Sequence, residues 1–310
     1  MNEYEVFREN LAYADRMREQ IAAVREAQYA QIADRAMHAW RGETDTDRIA
    51  SLYLTGDPFA APEDLSFFHS SLCSPEFARF CIHFRKDGSA ENLFTAGASS
   101  MTDDFLSDAE EEFWEGEEPA EAEHARTAYM QNSYTDRAWR QFAETIPDMT
   151  AEYFSSYPAV CEEVYNGRCR YCILPLYTSA DGQLVSFRKL LGKYDLKICL
   201  ETEVELADES VMRFALLCRR LPGDRENAVP LYMDLSVVLP ENGSAGNLIA
   251  ACEALGASVA AVYSIPLEYA DRTSEFCLEM DISDADLAGL SVFLEASQLR
   301  YTVVGLYRRI

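Results

Sequence analysis

Residues 1–40 place apolar side chains at helical intervals (Phe7, Leu11, Met17, Ile21, Val24, Ile32 and Met37) and contain neither Pro nor Gly. That spacing predicts one long amphipathic helix that pairs with another surface. Thr44-Asp45-Thr46-Asp47 supplies N-cap side chains for a short helix through Leu54, which Gly56 and Pro58 stop. Phe80-Cys81-Ile82-His83-Phe84 and Asn92-Leu93-Phe94-Thr95 read as two strands flanking Asp87-Gly88, a hairpin signal. Eleven acidic residues follow between Asp103 and Glu123, and no Lys or Arg occurs between Lys86 and Arg126. Such a block repels itself and reads as a linker.

Strand and helix patterns then alternate from 127 to 220, which predicts a parallel sheet with right-handed crossovers. After Pro222-Gly223-Asp224 the order is strand (Tyr232–Leu239), helix (Gly246–Leu255), strand (Ser258–Ser264), strand (Ser274–Ile282), helix (Asp284–Ser297) and strand (Tyr301–Tyr307). This β-α-β-β-α-β order is ferredoxin-like. Tyr232–Leu239 and Tyr301–Tyr307 are apolar strands whose edges need covering, which leads us to expect a two-fold dimer through this part.

Charge narrows the partners. With 53 acidic against 27 basic residues the chain carries a formal net charge of −26, which argues against nucleic acid and against anionic membrane surfaces. No apolar run approaches bilayer length, and the acidic start Met1-Asn2-Glu3-Tyr4-Glu5 lacks a signal-peptide pattern, so a cytoplasmic protein is expected. Nine cysteines, among them Cys81, Cys172, Cys199, Cys218, Cys252 and Cys277, read as reduced, buried thiols. Cys169-Arg170-Tyr171-Cys172 lies on a strand, where positions three apart face opposite ways, and no second pair follows at ligand spacing. His38, His69, His83 and His124 read as structural or surface residues, and neither a metal nor a cofactor is expected.

Residues 127–214 carry a sharper signal. Thr127-Ala128-Tyr129-Met130-Gln131 leads into a helix, and Glu162-Glu163-Val164-Tyr165-Asn166-Gly167 follows. Then come Ile173-Leu174-Pro175-Leu176, the turn Tyr177-Thr178-Ser179-Ala180-Asp181-Gly182, and Lys193-Tyr194-Asp195-Leu196-Lys197-Ile198. Order and spacing resemble the first lobe of prephenate dehydratase. That family inserts a second lobe before returning with a Thr-Arg-Phe segment, whereas here Leu206 and Met212-Arg213-Phe214 are five residues apart.

The resemblance implies Thr178, Ser179, Gly182 and Arg213 as ligand-binding positions, with Ser179 and Arg213 the matching remnants of the catalytic set. The catalytic threonine of the family stands at Met212, so no catalytic residue is expected. Residues 223–310 resemble the ACT regulatory domain of the same family. Gly243-Ser244-Ala245 stands at the start of its first helix, Gly256 at that helix's end, and Tyr263-Ser264-Ile265-Pro266 at its second motif. Gly243, Ser244, Tyr263 and Ser264 are thereby implied as effector-binding positions for an amino acid.

The fold class implied is α/β and α+β. A helical-plus-hairpin region (1–102) and an acidic linker (103–126) precede a truncated, periplasmic-binding-protein-like α/β lobe (127–222). A ferredoxin-like, ACT-type βαββαβ domain (223–310) follows. The function expected is that of an inactive prephenate-dehydratase-like protein that senses an aromatic amino acid or related metabolite. The rival expectations are an active dehydratase, alone or joined to a helical chorismate mutase, and a structural partner without a ligand. The first helix carries Arg18, Arg25 and Arg35, read here as surface arginines.

Overall fold

The computed structural model describes residues 3–43, 45–60, 65–85, 125–207, 209–221, 231–239, 243–266 and 274–310. In chain order the first elements are α1 (Glu3–Ala39), α2 (Thr46–Thr55), α3 (His69–Leu72) and α4 (Pro75–Ile82). Next come β1 (Ala125–Met130), α5 (Ser133–Thr145), β2 (Met149–Phe154), α6 (Tyr157–Tyr165), β3 (Tyr171–Thr178) and β4 (Gly182–Gln183). They are followed by α7 (Val185–Lys193), β5 (Lys197–Glu205) and β6 (Val211–Cys218). The last are β7 (Tyr232–Val238), α8 (Ala245–Ala254), β8 (Ser258–Pro266), β9 (Ser274–Asp281), α9 (Leu287–Ala296) and β10 (Arg300–Arg309).

These elements form two compact units. One comprises Met1–Ala90, Asn242–Leu255 and Asp286–Leu299; the other comprises Glu91–Glu241, Gly256–Ala285 and Arg300–Ile310. The first is helical. Asp45 caps α2 by accepting from the Asp47 amide at 3.0 Å, and Gly56 closes it at φ 73°. The helix α4 packs against both α8 and α9. Its Phe77 ring lies 6.2 Å from Phe293 and 4.9 Å from Tyr53.

The expected strand Phe80–Phe84 is absent, because Phe80, Cys81 and Ile82 lie in α4. Phe77, Phe80, Cys81 and Phe84 are all buried, a three-and-four spacing that a helix satisfies and a strand does not. Ser74 and Pro75 start that helix, with Ser74 Oγ accepting from the Phe77 amide at 3.2 Å. The partner strand Asn92–Thr95 and the acidic linker lie outside the described residues.

The second unit is built on a ten-stranded sheet of order β2-β1-β3-β6-β5-β10-β7-β9-β8, with β4 paired to β3. The wholly parallel sheet expected for 127–220 is not found. β2, β1 and β3 are parallel, but β6 runs antiparallel to both β3 and β5. The reason is local: the Leu206 amide donates to the Ser210 carbonyl at 2.8 Å, closing a hairpin that must reverse the chain. α5 covers one face of this part, and α6 with α7 covers the other.

β10-β7-β9-β8 gives the ferredoxin-like arrangement: last strand, first, third, second. β10 also pairs in parallel with β5, so the sheet continues across residue 222. The edges of Tyr232–Leu239 and Tyr301–Tyr307 are therefore not available to a second copy. β7 lies between β10 and β9, and β10 between β5 and β7. Cys199 and Cys218, expected as free thiols, are joined in a disulfide across β5 and β6. The other seven cysteines are free and buried.

Candidate functional site: an aromatic pocket beside a buried charge cluster

A pocket of about 310 Å³ opens at the carboxyl ends of the parallel strands. It is lined by Asn132, Tyr134, Tyr157, Pro175, Thr178, Asp181, Leu184, Phe187, Met212 and Phe214. Open α/β sheets bind ligands at this end, where helices begin. Asn132 follows β1 and caps α5. Its Oδ1 accepts from the amides of Tyr134 (3.0 Å) and Thr135 (2.9 Å), and its Nδ2 donates to Thr135 Oγ1 at 2.7 Å. The polar ends of Asn132 are thus committed to the helix start. Tyr157 and Phe187 meet edge to face at 4.7 Å, and burial raises the pKa of the Tyr157 phenol.

Thr178 and Met212 sit opposite each other on β3 and β6, both on the pocket wall. Thr178 is buried; its Oγ1 accepts from the Asp181 amide at 2.9 Å and lies 3.3 Å from the Asp181 carboxylate. Met212 and Phe214 share one face of β6, which turns Arg213 to the other. Of the four expected ligand positions, only Thr178 lines the pocket. Ser179 ties the turn to β6, its Oγ accepting from the Val211 amide at 2.9 Å. Gly182 takes φ 75°, a conformation glycine adopts without strain, where β4 begins.

Arg213 belongs to a second assembly. It donates to Glu279 at 2.7 Å and stacks 4.1 Å from the Tyr177 ring centre. Arg309 donates to Glu279 (2.8 Å) and to Glu201 (2.9 Å). Arg188 pairs with Asp234 at 2.5 Å and also donates to Gln183, whose amide donates to Glu279 at 3.3 Å. Three arginines thus face three carboxylates, all buried except the half-buried Arg309. Burial raises the pKa values of Glu201 and Asp234 against the lowering pull of the arginines. At Glu279 burial also raises, but hydrogen bonds from Arg213 and Arg309 outweigh it and the pKa is lowered.

The four effector positions fall in different units. Gly243 and Ser244 lie in the first, where Ser244 caps α8 by accepting from the Asn247 amide at 3.4 Å. Tyr263 and Ser264 lie in the second. Tyr263 sits 3.5 Å from Asp234 with the Arg188 guanidinium over its ring, joining the charge cluster, while Ser264 is exposed on β8. Among the described residues no group of three or more His, Cys, Asp or Glu is placed to hold a metal. Nor is any described helix long and apolar enough to cross a membrane.

Residues 130–213, which include most of the pocket wall, match the family model for prephenate dehydratase. The lobe is prephenate dehydratase-like. Among solved structures, prephenate dehydratase from Streptococcus mutans is 18% identical, covering 59% of this chain and 98% of its own, with a TM-score of 0.49. GqqA, described as a novel type of quorum-quenching acylase, is 20% identical over 59% of this chain and 94% of its own (TM-score 0.48). The Arthrobacter aurescens prephenate dehydratase in complex with L-Phe is 14% identical over 59% and 90% (TM-score 0.48). No curated protein matches.

The motif reading of the dehydratase-like lobe missed the aromatic wall (Tyr134, Tyr157, Phe187 and Phe214) and the cap Asn132. An Asn directly after a strand and before a helix was the available signal for the pocket. For the charge cluster only Asp234 offered one, as the single charged residue of Tyr232–Val238; Glu201 and Glu279 share their strands with other carboxylates.

Proposed function

We propose that this prephenate-dehydratase-like protein of aromatic amino-acid metabolism binds an aromatic ligand in the pocket and does not dehydrate prephenate. The observation that carries the reading is Met212 on the pocket wall. The resemblance places the catalytic threonine at that position, and a thioether has no proton to give a departing group. A general acid must lie within hydrogen-bond reach of its substrate. The Thr178 hydroxyl is directed at Asp181, and burial makes the Tyr157 phenol a weaker acid.

Ligand chemistry follows from the wall. Four aromatic rings, Leu184, Pro175 and Met212 suit one flat apolar group, and about 310 Å³ is at the small end of ligand pockets. The lining residues include no Lys, Arg or His, and Asp181 opposes a dicarboxylate. The βαββαβ strand order supports reading residues 223–310 as an ACT-like regulatory module.

The test is a thermal-shift and calorimetric series with phenylalanine, tyrosine, tryptophan and prephenate. A ligand bound only by the folded state raises Tm. An aromatic amino acid is expected to bind, and Phe187→Asp is expected to weaken it by roughly 10-fold or more through the lost apolar contact. Binding indifferent to Phe187→Asp would remove the pocket from the account.

A further inference from the structure

Of the residues lining the aromatic pocket, Asp181 alone carries a charge. The turn that holds it is tied at both ends. Before it, the Ser179 amide donates to the Val211 carbonyl at 2.8 Å, and Ser179 Oγ accepts from the Val211 amide at 2.9 Å. After it, Gly182 and Gln183 pair with Thr178 and Tyr177. The Asp181 amide donates to Thr178 Oγ1 at 2.9 Å, and that hydroxyl donates to Asp181 Oδ2 at 3.3 Å. Thr178 is itself buried on the pocket wall, so the turn fixes the carboxylate at the pocket.

That carboxylate has no cation. Each carboxylate of the buried cluster faces an arginine, whereas among the described residues Asp181 makes no ion pair and its Oδ1 accepts no hydrogen bond. Arg213, between the wall residues Met212 and Phe214, cannot serve it: the pleat turns Arg213 to the other face, where it is bound to Glu279. The same wall holds Tyr134, Tyr157, Phe187 and Phe214, and aromatic faces attract a cation as well as an apolar group. A carboxylate with an open oxygen beside aromatic rings suits an organic ammonium, which has three N–H donors to place. In a chain of net charge −26 the surrounding field also favours cations over anions.

We propose, on the reading of this pocket as an aromatic-ligand site, that its ligand is a primary aromatic amine, with the ring against the apolar wall and the ammonium on Asp181. An aromatic amino acid is held through its ammonium and not its carboxylate, because no lining side chain is a cation. Aromatic acids that lack an amine are opposed by the same charge.

Calorimetry on the full chain with phenethylamine, phenethyl alcohol and hydrocinnamate varies the charge while the ring stays the same. The amine is expected to bind roughly 10-fold or more tightly than the alcohol, as a charge-assisted hydrogen bond allows, and the acid more weakly than the alcohol. Asp181→Asn, an isosteric change at an exposed position, brings the amine down to the level of the alcohol. Tm and the alcohol's own affinity stay where they were, which shows the fold intact. Phe187→Ala weakens amine and alcohol alike. Equal binding of amine and alcohol, or a preference for the amine that survives Asp181→Asn, would overturn the ammonium assignment and leave the aromatic pocket standing. Binding of neither, or binding of both untouched by Phe187→Ala, would overturn the aromatic pocket and the amine with it.

Discussion

Arg213 on β6 donates to Glu279 on β9 at 2.7 Å, although β5, β10 and β7 separate those strands in the sheet. Four strand spacings in a flat sheet would set them about 19 Å apart, farther than the two side chains can span. The sheet is therefore rolled about its charged face, with the arginine–carboxylate cluster inside the curve. This ion pair, together with Arg188–Asp234 and Arg309–Glu201, ties the dehydratase-like lobe to the ferredoxin-like strands. It also withdraws from ligand binding the arginine that the sequence offered for it.

Glu279→Gln is expected to destabilise the fold by about 3 kcal/mol, since the buried Arg213 and the half-buried Arg309 lose a charged partner. The pH dependence has a definite sign. The folded pKa of Glu279 lies below its ordinary 4.5, so its contribution is present above that value and is lost as pH falls through the folded pKa. Glu201 and Asp234 act oppositely: their pKa values are raised, so their stabilisation is present at low pH and is lost as pH rises through the folded values. Thermal melts from pH 3 to 7 should show the gap between native and Glu279→Gln proteins narrowing on the acid side. A gap that widens there contradicts the assignment.

Gly305→Ala tests the junction between the two halves of the sheet. A Cβ at Gly305 would sit 2.6 Å from Ile198 Cβ and 3.2 Å from the Ile198 carbonyl oxygen, where β10 meets β5. The strands must part to admit it, at a cost of about 1–3 kcal/mol. Chemical denaturation should reveal this; an unchanged midpoint would mean that the β5–β10 ladder yields freely.

Asn132→Ala removes the cap of α5 together with part of the pocket rim. The expected loss is about 1 kcal/mol of stability. Ligand affinity should fall as well, because the α5 start that carries Tyr134 loosens. Asn132→Asp, which keeps the cap oxygen, should restore stability; failure to do so would show that the Nδ2 contact to Thr135 matters more than the cap.

What the sequence made legible was local. α1, the Asp45 cap of α2 and the β-α-β-β-α-β order all follow from spacing, and the resemblance to the ACT domain pointed to Gly256 at a helix end. That glycine takes φ 86°, where a Cβ would meet the Asp284 carbonyl oxygen at 2.6 Å. The segment Phe80–Phe84 was misread because a short apolar run fits either periodicity, and the deciding cap, Ser74-Pro75, precedes it. The β5–β10 pairing and the charge cluster join residues such as Arg213 and Glu279 that lie far apart in sequence, and no local pattern encodes such contacts. Within the pocket, Thr178 and Met212 were legible through motif order. Asn132, Tyr157 and Phe187 were not, because their convergence depends on how α5, α6 and α7 meet the strand ends.

The most direct measurement is the conversion of prephenate to phenylpyruvate by the purified chain, followed spectroscopically alongside a Thr178→Ala control. With Met212 on the pocket wall and no cation among its lining residues, the account predicts no turnover above the uncatalysed rate. Turnover by the unaltered chain that Thr178→Ala abolishes would contradict it.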